Sequence, residues 1–145
     1  MMEIRRASVN EAGLVAKLAI QMWEDNSVDG LEAEFIDYMN KGGAVFMAYH
    51  NGVAIGFAQC GFRCDYVEGT DTSPVGYLEG VFVEEAYRRQ GIARRLVEEC
   101  QSFAKEQGCA EFASDCEIDN TESLLFHLKM GFVEANRIIC FTKRL

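Results

Sequence analysis

A chain of 145 residues, 49% of them hydrophobic and only one a proline, has too much apolar side chain to stay disordered. Residues 1–145 are expected to form a single domain, whose one core buries about two-thirds of the unfolded surface. A formal net charge of −9 argues against nucleic acid as the main partner, and no stretch approaches the roughly 18 apolar residues of a membrane span.

The opening stretch, "MMEIRRASVNEAG", has no apolar run of the kind a signal peptide needs, so the expected compartment is the cytoplasm. Its "EIRRA" reads as a short first strand. Ser8 and Glu11 have capping-box spacing, which predicts a helix from about Val9 to Trp23 with Leu14, Leu18 and Met22 on one stripe. A second helix is expected near Leu31–Met39, stopped by Gly42-Gly43. "AVFMAYH", Asn51-Gly52 and "VAIGFAQCGF" together predict a hairpin with a tight turn. After a polar loop carrying Pro74 comes an apolar strand, "VGYLEGVFV", in which alternation groups Tyr77, Glu79 and Val81 on one face.

A long helix is expected from Gly91 to about Gln107, ended by Gly108, and then a strand at "CAEFASD". Asp119 and Glu122 repeat the capping-box spacing ahead of a short helix closed by Gly131, and "FVEANRIICF" reads as the last strand. The order β-α-α-β-β-β-α-β-α-β describes a mixed α/β domain without repeats or linkers.

Six cysteines without a CxxC pair, beside only two histidines, make both a zinc site and a disulfide framework unexpected. They read mostly as small core residues with free thiols. Charge is segregated along the chain. From Asp65 to Glu85 there are six acids and no base, and from Glu111 to Glu122 five acids and no base. Between them, Arg88, Arg89, Arg94, Arg95 and Lys105 make the segment from Ala86 to Lys105 net basic. Such an alternation suits two ligands of opposite charge, or simply solvated loops.

The basic segment begins with "YRRQGIA" (87–93), between the end of a strand and the start of a long helix. Unpaired N–H groups and the positive end of the helix dipole favour an anion there. Gly91 admits close backbone approach, and Arg88 and Arg89 add fork-shaped donors. The stretch is neither a P-loop nor a Rossmann fingerprint, and a pyrophosphate is a candidate for the anion.

Strand, R-x-x-G-x-A, helix, strand, short helix and "GF" before a last strand resemble the GNAT acetyltransferase superfamily over nearly the whole chain. "YLEGVFV" (77–83), "EFASD" (111–115), "DNTES" (119–123) and "HLKMGF" (127–132) bring the resemblance closer to the aminoglycoside 6′-N-acetyltransferases. "VAIGFA" (53–58) and "DYVEGTDTSPV" (65–75) add to it.

This resemblance implies the GNAT fold, a mixed sheet whose two central strands splay apart, with acetyl-CoA as cosubstrate and no metal. It implies that the backbones of Val81 and Val83 bind the pantetheine arm, with Gly80 placed where the strand can bulge to make room. Arg88, Arg89, Gln90, Gly91, Ile92 and Ala93 would cradle the pyrophosphate, and Asn120 would face the cosubstrate. Glu79 and Asp115 would be catalytic and line the acceptor pocket, with Trp23, Tyr66 and Asn136 also binding substrate. The chain departs from the family in three places. His127 replaces a tyrosine that often protonates the thiolate, Asn136 replaces an acid, and Glu24 replaces the proline that commonly follows the tryptophan.

Carboxylates suit this chemistry. A lysine-like amine is mostly protonated at pH 7, and freeing its lone pair costs roughly 4 kcal/mol. A carboxylate binds the ammonium form and accepts its proton through water, and backbone amides can stabilise the oxyanion that forms on the acyl group. The expected reaction is direct acetyl transfer to the 6′-amine of an aminoglycoside in a ternary complex. Another small amine, such as a polyamine or amino sugar, and a non-catalytic acyl-CoA sensor stay open beside it. The apolar last strand needs a partner, and the resemblance implies a homodimer.

Overall fold

A computed structural model describes residues 1–145. Its five strands are β1 (Met2–Arg6), β2 (Ala44–His50), β3 (Val53–Arg63), β4 (Val75–Val83) and β5 (Phe112–Ser114). They form one sheet in the order β1-β2-β3-β4-β5, antiparallel except for the parallel β4–β5 pair. The helices are α1 (Ala12–Ala19), α2 (Val28–Asn40), α3 (Ile92–Glu106) and α4 (Thr121–Lys129). The expected α/β class and element order hold as far as α4.

Alternation along β2 divides the core. Val45, Met47 and Tyr49 meet Val15, Leu18 and Phe35 from α1 and α2. Ala44, Phe46 and Ala48 meet Leu96, Val97, Cys100 and Phe103 from α3. Each face of the sheet thus carries its own fully enclosed cluster, as a strand covered on both sides requires. The Asn51-Gly52 turn has φ of 50° and 82°, the double positive φ of a tight hairpin.

Several boundaries differ from the sequence reading. The first helix opens with a 3-10 turn over Val9–Glu11 and ends at Ala19, short of Trp23. Its buried side is Ala12, Val15, Ala16, Leu18 and Ala19, while Leu14 is exposed, so the expected Leu14–Leu18–Met22 stripe is displaced. Glu11 accepts from the Ser8 backbone N–H at 2.9 Å, and Arg5 reaches both its oxygens at 3.0 and 2.7 Å. The Arg5 and Tyr49 hydrogen bonds hold the Glu11 carboxyl down at about 2. The second helix starts earlier than expected, with Ser27 accepting from Gly30 N at 3.0 Å as its N-cap. At α4 the cap is Asn120 rather than Asp119, its Oδ1 accepting from Ser123 N at 3.1 Å. Asx residues at 119 and 120 offer the same chemistry, and spacing alone does not choose between them.

Only Cys60, Cys100 and Cys109 are buried, while Cys64, Cys116 and Cys140 are exposed free thiols. The core role expected for the cysteines therefore holds for half of them. The larger correction is at the C-terminus, where residues 132–145 form no strand. Val133, Ile139 and Phe141 are 87%, 81% and 90% exposed. A strand needs an edge to pair with, and within a single chain this segment joins none.

Candidate active site

The site is built by two irregularities of β4. Against β3, Gln59 pairs with Gly80 and Cys60 with Leu78, so Glu79 is an extra residue without a partner. This bulge sits at Glu79, one residue before the glycine expected to make it. A bulge re-aims side chains, and it separates Glu79 from Val81. Tyr77 and Glu79 share Arg63 as a neighbour, whereas Val81 packs with the α3-side cluster. The face grouping of Glu79 with Val81 that alternation predicts is thus broken. Gly80 lies against Trp23, and a Cβ there would come within 2.8 Å of the indole Cζ2.

The second irregularity is the end of the β4–β5 ladder. Its last rung pairs Leu78 with Ser114, and the next residues on the two strands are Glu79 and Asp115. The strands part where the two carboxylates begin. Beyond that point the outer edge of β4 opens into a cleft of about 1220 Å³.

The lining of this cleft suits the expected cosubstrate. Val81, Val83, Arg88, Arg89, Gly91, Ile92, Ala93 and Asn120 line it, joined by Arg94 and Lys129. Gly91, the N-cap of α3, has φ of 79°, and no atom lies within 4 Å of where a Cβ would stand. Bare backbone at a helix start, flanked by cations, fits a pyrophosphate. Gln90, exposed between Arg89 and Gly91, does not line the cleft. Arg88 donates through Nε to the Val83 carbonyl at 2.8 Å, so that carbonyl is already engaged. The unpaired edge of β4 and the helix start together suit the extended arm and diphosphate of a CoA thioester.

On the α2 side of the bulge lies a pocket of about 380 Å³ lined by Trp23, Asn26, Leu31, Glu34, Tyr38, Gln59 and Glu79. The Trp23 ring rests on Phe35 and Phe57, with centroids at 6.3 and 6.2 Å. Tyr38 lies over Gly43 and Gly61, where any side chain would strike its ring. The Glu79 side chain is 26% exposed and pairs with Arg63 Nη2 at 3.0 Å. Asp115 accepts a hydrogen bond from the Tyr77 hydroxyl.

The acetyltransferase (GNAT) family profile matches residues 14–132. The chain is 35% identical to an aminoglycoside N(6′)-acetyltransferase type 1 of Acinetobacter haemolyticus, with 99% of each covered. It is 38% identical to the enzyme of the same description from Salmonella typhimurium, again over 99% of each. Among solved structures, AAC(6′)-Iy in complex with the bisubstrate analogue CoA-S-monomethyl-acetylneamine superposes with a TM-score of 0.94. That pair shares 37% identity and covers 100% of this chain and 99% of the other. The chain belongs to the acetyltransferase (GNAT) family.

As a GNAT chain, it brings Trp23 and Glu79 into one pocket and sets Asp115 at the point of strand parting. Tyr66 and Asn136 lie elsewhere. Tyr66 is 80% exposed and donates to Glu68 Oε2 at 3.0 Å, and Asn136 Nδ2 donates to Glu68 Oε1 at 2.8 Å. These bonds, Asn136 first, lower the Glu68 carboxyl.

His127, at the position where many GNAT members carry a tyrosine, uses both ring nitrogens internally. Nδ1 lies 2.7 Å from the Ser123 carbonyl, which can only accept, and Nε2 lies 2.8 Å from the Ser114 hydroxyl. This histidine braces α4 against β5. Several acids of the two acidic segments are also structural. Glu111, for example, accepts from the Asp71 and Thr72 backbone at 2.9 Å each. Reading the sequence missed Glu34 and Tyr38 in the pocket. Their signal was present, since Leu31, Glu34 and Tyr38 are spaced three and four apart and share one face of α2.

Proposed function

We propose that residues 1–145 act in the cytoplasm as one acetyltransferase domain, moving acetyl from acetyl-CoA to the 6′-amine of aminoglycosides. The observation that carries this reading is the last rung, Leu78–Ser114, followed on each strand by a carboxylate beside a CoA-sized cleft. Glu79 and Asp115 bind the substrate's ammonium group at the opening between the strands, and one of them takes its proton, directly or through water. The freed amine attacks the thioester acyl carbon of acetyl-CoA. As the amide C–N bond forms the C–S bond breaks, so that CoA leaves as a thiol carrying the proton the attacking nitrogen loses. Trp23 walls the pocket, and Glu34 adds a further negative charge for a polycation. Arg88, Arg89, the backbone of residues 91–93 and Asn120 orient the cosubstrate. Tyr66 and Asn136 bind the far end of the substrate.

Thiol release from acetyl-CoA, followed in parallel with kanamycin, tobramycin, spermidine and a peptide, tests the substrate class. Turnover with the aminoglycosides and a product acetylated at the 6′-amine by NMR are expected. Turnover with spermidine alone would replace this reading with a polyamine acetyltransferase, and none with any amine would favour a sensor.

The protein acts as a homodimer. Residues 133–145 form no helix or strand, with Ile138, Ile139 and Phe141 exposed, and β5 offers only a three-residue strand at the sheet edge. A second copy supplies the cover that this apolar arm lacks within its own chain. Light scattering at micromolar concentration should give the mass of two chains. The mass of one chain would overturn the assembly.

A further inference from the structure

Glu79 and Asp115 are linked by two residues to which neither the sequence motifs nor the proposed chemistry gives a task. Arg63, the last residue of β3, places Nη2 3.0 Å from Glu79 Oε1. Its guanidinium carbon lies 3.5 Å from the centre of the Tyr77 ring, in stacking contact. The Tyr77 hydroxyl in turn donates to Asp115 Oδ2. Tyr77 is 5% exposed and packed with Val67 and Val75. Burial first, and then the bond to Asp115, raise its hydroxyl above the ordinary tyrosine value, which keeps it a donor. The chain Glu79–Arg63–Tyr77–Asp115 thus spans the point where β4 and β5 part. Of the five ion pairs in the structure, the Arg63–Glu79 pair alone joins β3 to β4.

We infer that Arg63 and Tyr77 are positioning residues that hold the two carboxylates, each with one oxygen engaged and one oxygen free for the substrate's amine. The inference rests on the acetyl-transfer reading above. A glutamate on a bulge has three side-chain torsions to fix, and an exposed ion pair is a weak way to fix them. A planar guanidinium pinned on a buried ring is a stronger one, because its own orientation is already set. The arrangement also sets charge. Arg63, Glu79 and Asp115 together carry −1, so one ammonium neutralises the group. Without Arg63 the group carries −2, which attracts a polycation more strongly but leaves Glu79 free to turn.

The two effects separate in kinetics. Arg63→Met keeps the apolar stem and removes the cation. With tobramycin as acceptor, kcat should fall roughly tenfold or more through lost orientation, while KM for tobramycin does not rise. Arg63→Lys, which restores charge without the flat stack, should recover part of that loss. Tyr77→Phe keeps the ring beneath Arg63 and should lower kcat/KM roughly threefold to tenfold by releasing Asp115. In a Glu79→Gln background Arg63→Met should add no further loss. Unchanged kcat in Arg63→Met, a raised KM accompanied by a lower Tm, or an equal loss in both backgrounds would each overturn the inference. Full activity of Glu79→Gln alone would instead overturn the acetyl-transfer assignment of Glu79, and the inference with it.

Discussion

Glu79→Gln and Asp115→Asn should each lower kcat/KM for tobramycin about 10- to 1,000-fold, the range for a lost general base or charged contact. Both changes keep side-chain size. Asparagine at 115 can still accept from Tyr77, so what disappears is charge rather than packing. Glutamine at 79 likewise leaves Arg63 facing a neutral amide. Neither residue lines the cosubstrate cleft, so KM for acetyl-CoA should stay close to that of the unaltered protein. Because the substrate is a polycation, its affinity should also fall as ionic strength rises, and the fall should be shallower in both variants. Steady-state kinetics over both substrates at two salt concentrations measures all of this. Full tobramycin activity in both variants would remove the two carboxylates from the mechanism.

The second large effect is expected at Gly91. With φ of 79° and open space where a Cβ would stand, the residue meets no internal obstacle to a side chain. Gly91→Val would nevertheless strain the left-handed backbone and fill the approach to the N–H groups at the start of α3. Losing one or two charge-assisted contacts to a diphosphate corresponds to a rise of about 10- to 100-fold in KM for acetyl-CoA. The aminoglycoside KM should change far less. A thermal melt accompanies the kinetics, because a β-branched residue at positive φ also costs stability. A folded valine variant with unchanged acetyl-CoA affinity would refute the pyrophosphate assignment.

Local patterns in the chain were sufficient for most of the architecture. The tight turn at Asn51-Gly52, the hairpin strands it joins and the glycine that opens α3 each depend on neighbours within a few residues, and each formed as read. Errors concentrated where a boundary depends on something distant. Met22 has helical spacing from Leu14 and Leu18 and Trp23 follows it, yet α1 ends at Ala19 and the indole turns onto Phe35 and Phe57. The last strand has strand composition but no edge within its own chain to pair with, so composition alone did not make it a strand.

The site divides in the same way. A cationic helix start at residues 88–93 was legible because helix starts are local, and Glu79 and Asp115 were candidates because the motifs that carry the family resemblance include them. Which of the other acids are tied up structurally was not legible. Glu68, Glu79, Glu111 and Asp115 all lie in the two acidic segments, but Glu68 ties Tyr66 to Asn136 and Glu111 ties down residues 71 and 72. Only the slip in pairing at Glu79 and the end of the ladder at Leu78–Ser114 leave the other two at the opening. A bulge is a property of two strands in register, so one strand's sequence does not contain it. Pairing of Arg63 with Glu79 across β3 and β4 likewise exists only once that register is set. The sequence by itself determined the order of elements as far as α4, the cationic start of α3 and the kind of chemistry. Tertiary structure decided which charges meet, because register and strand parting are relations between segments far apart in the chain.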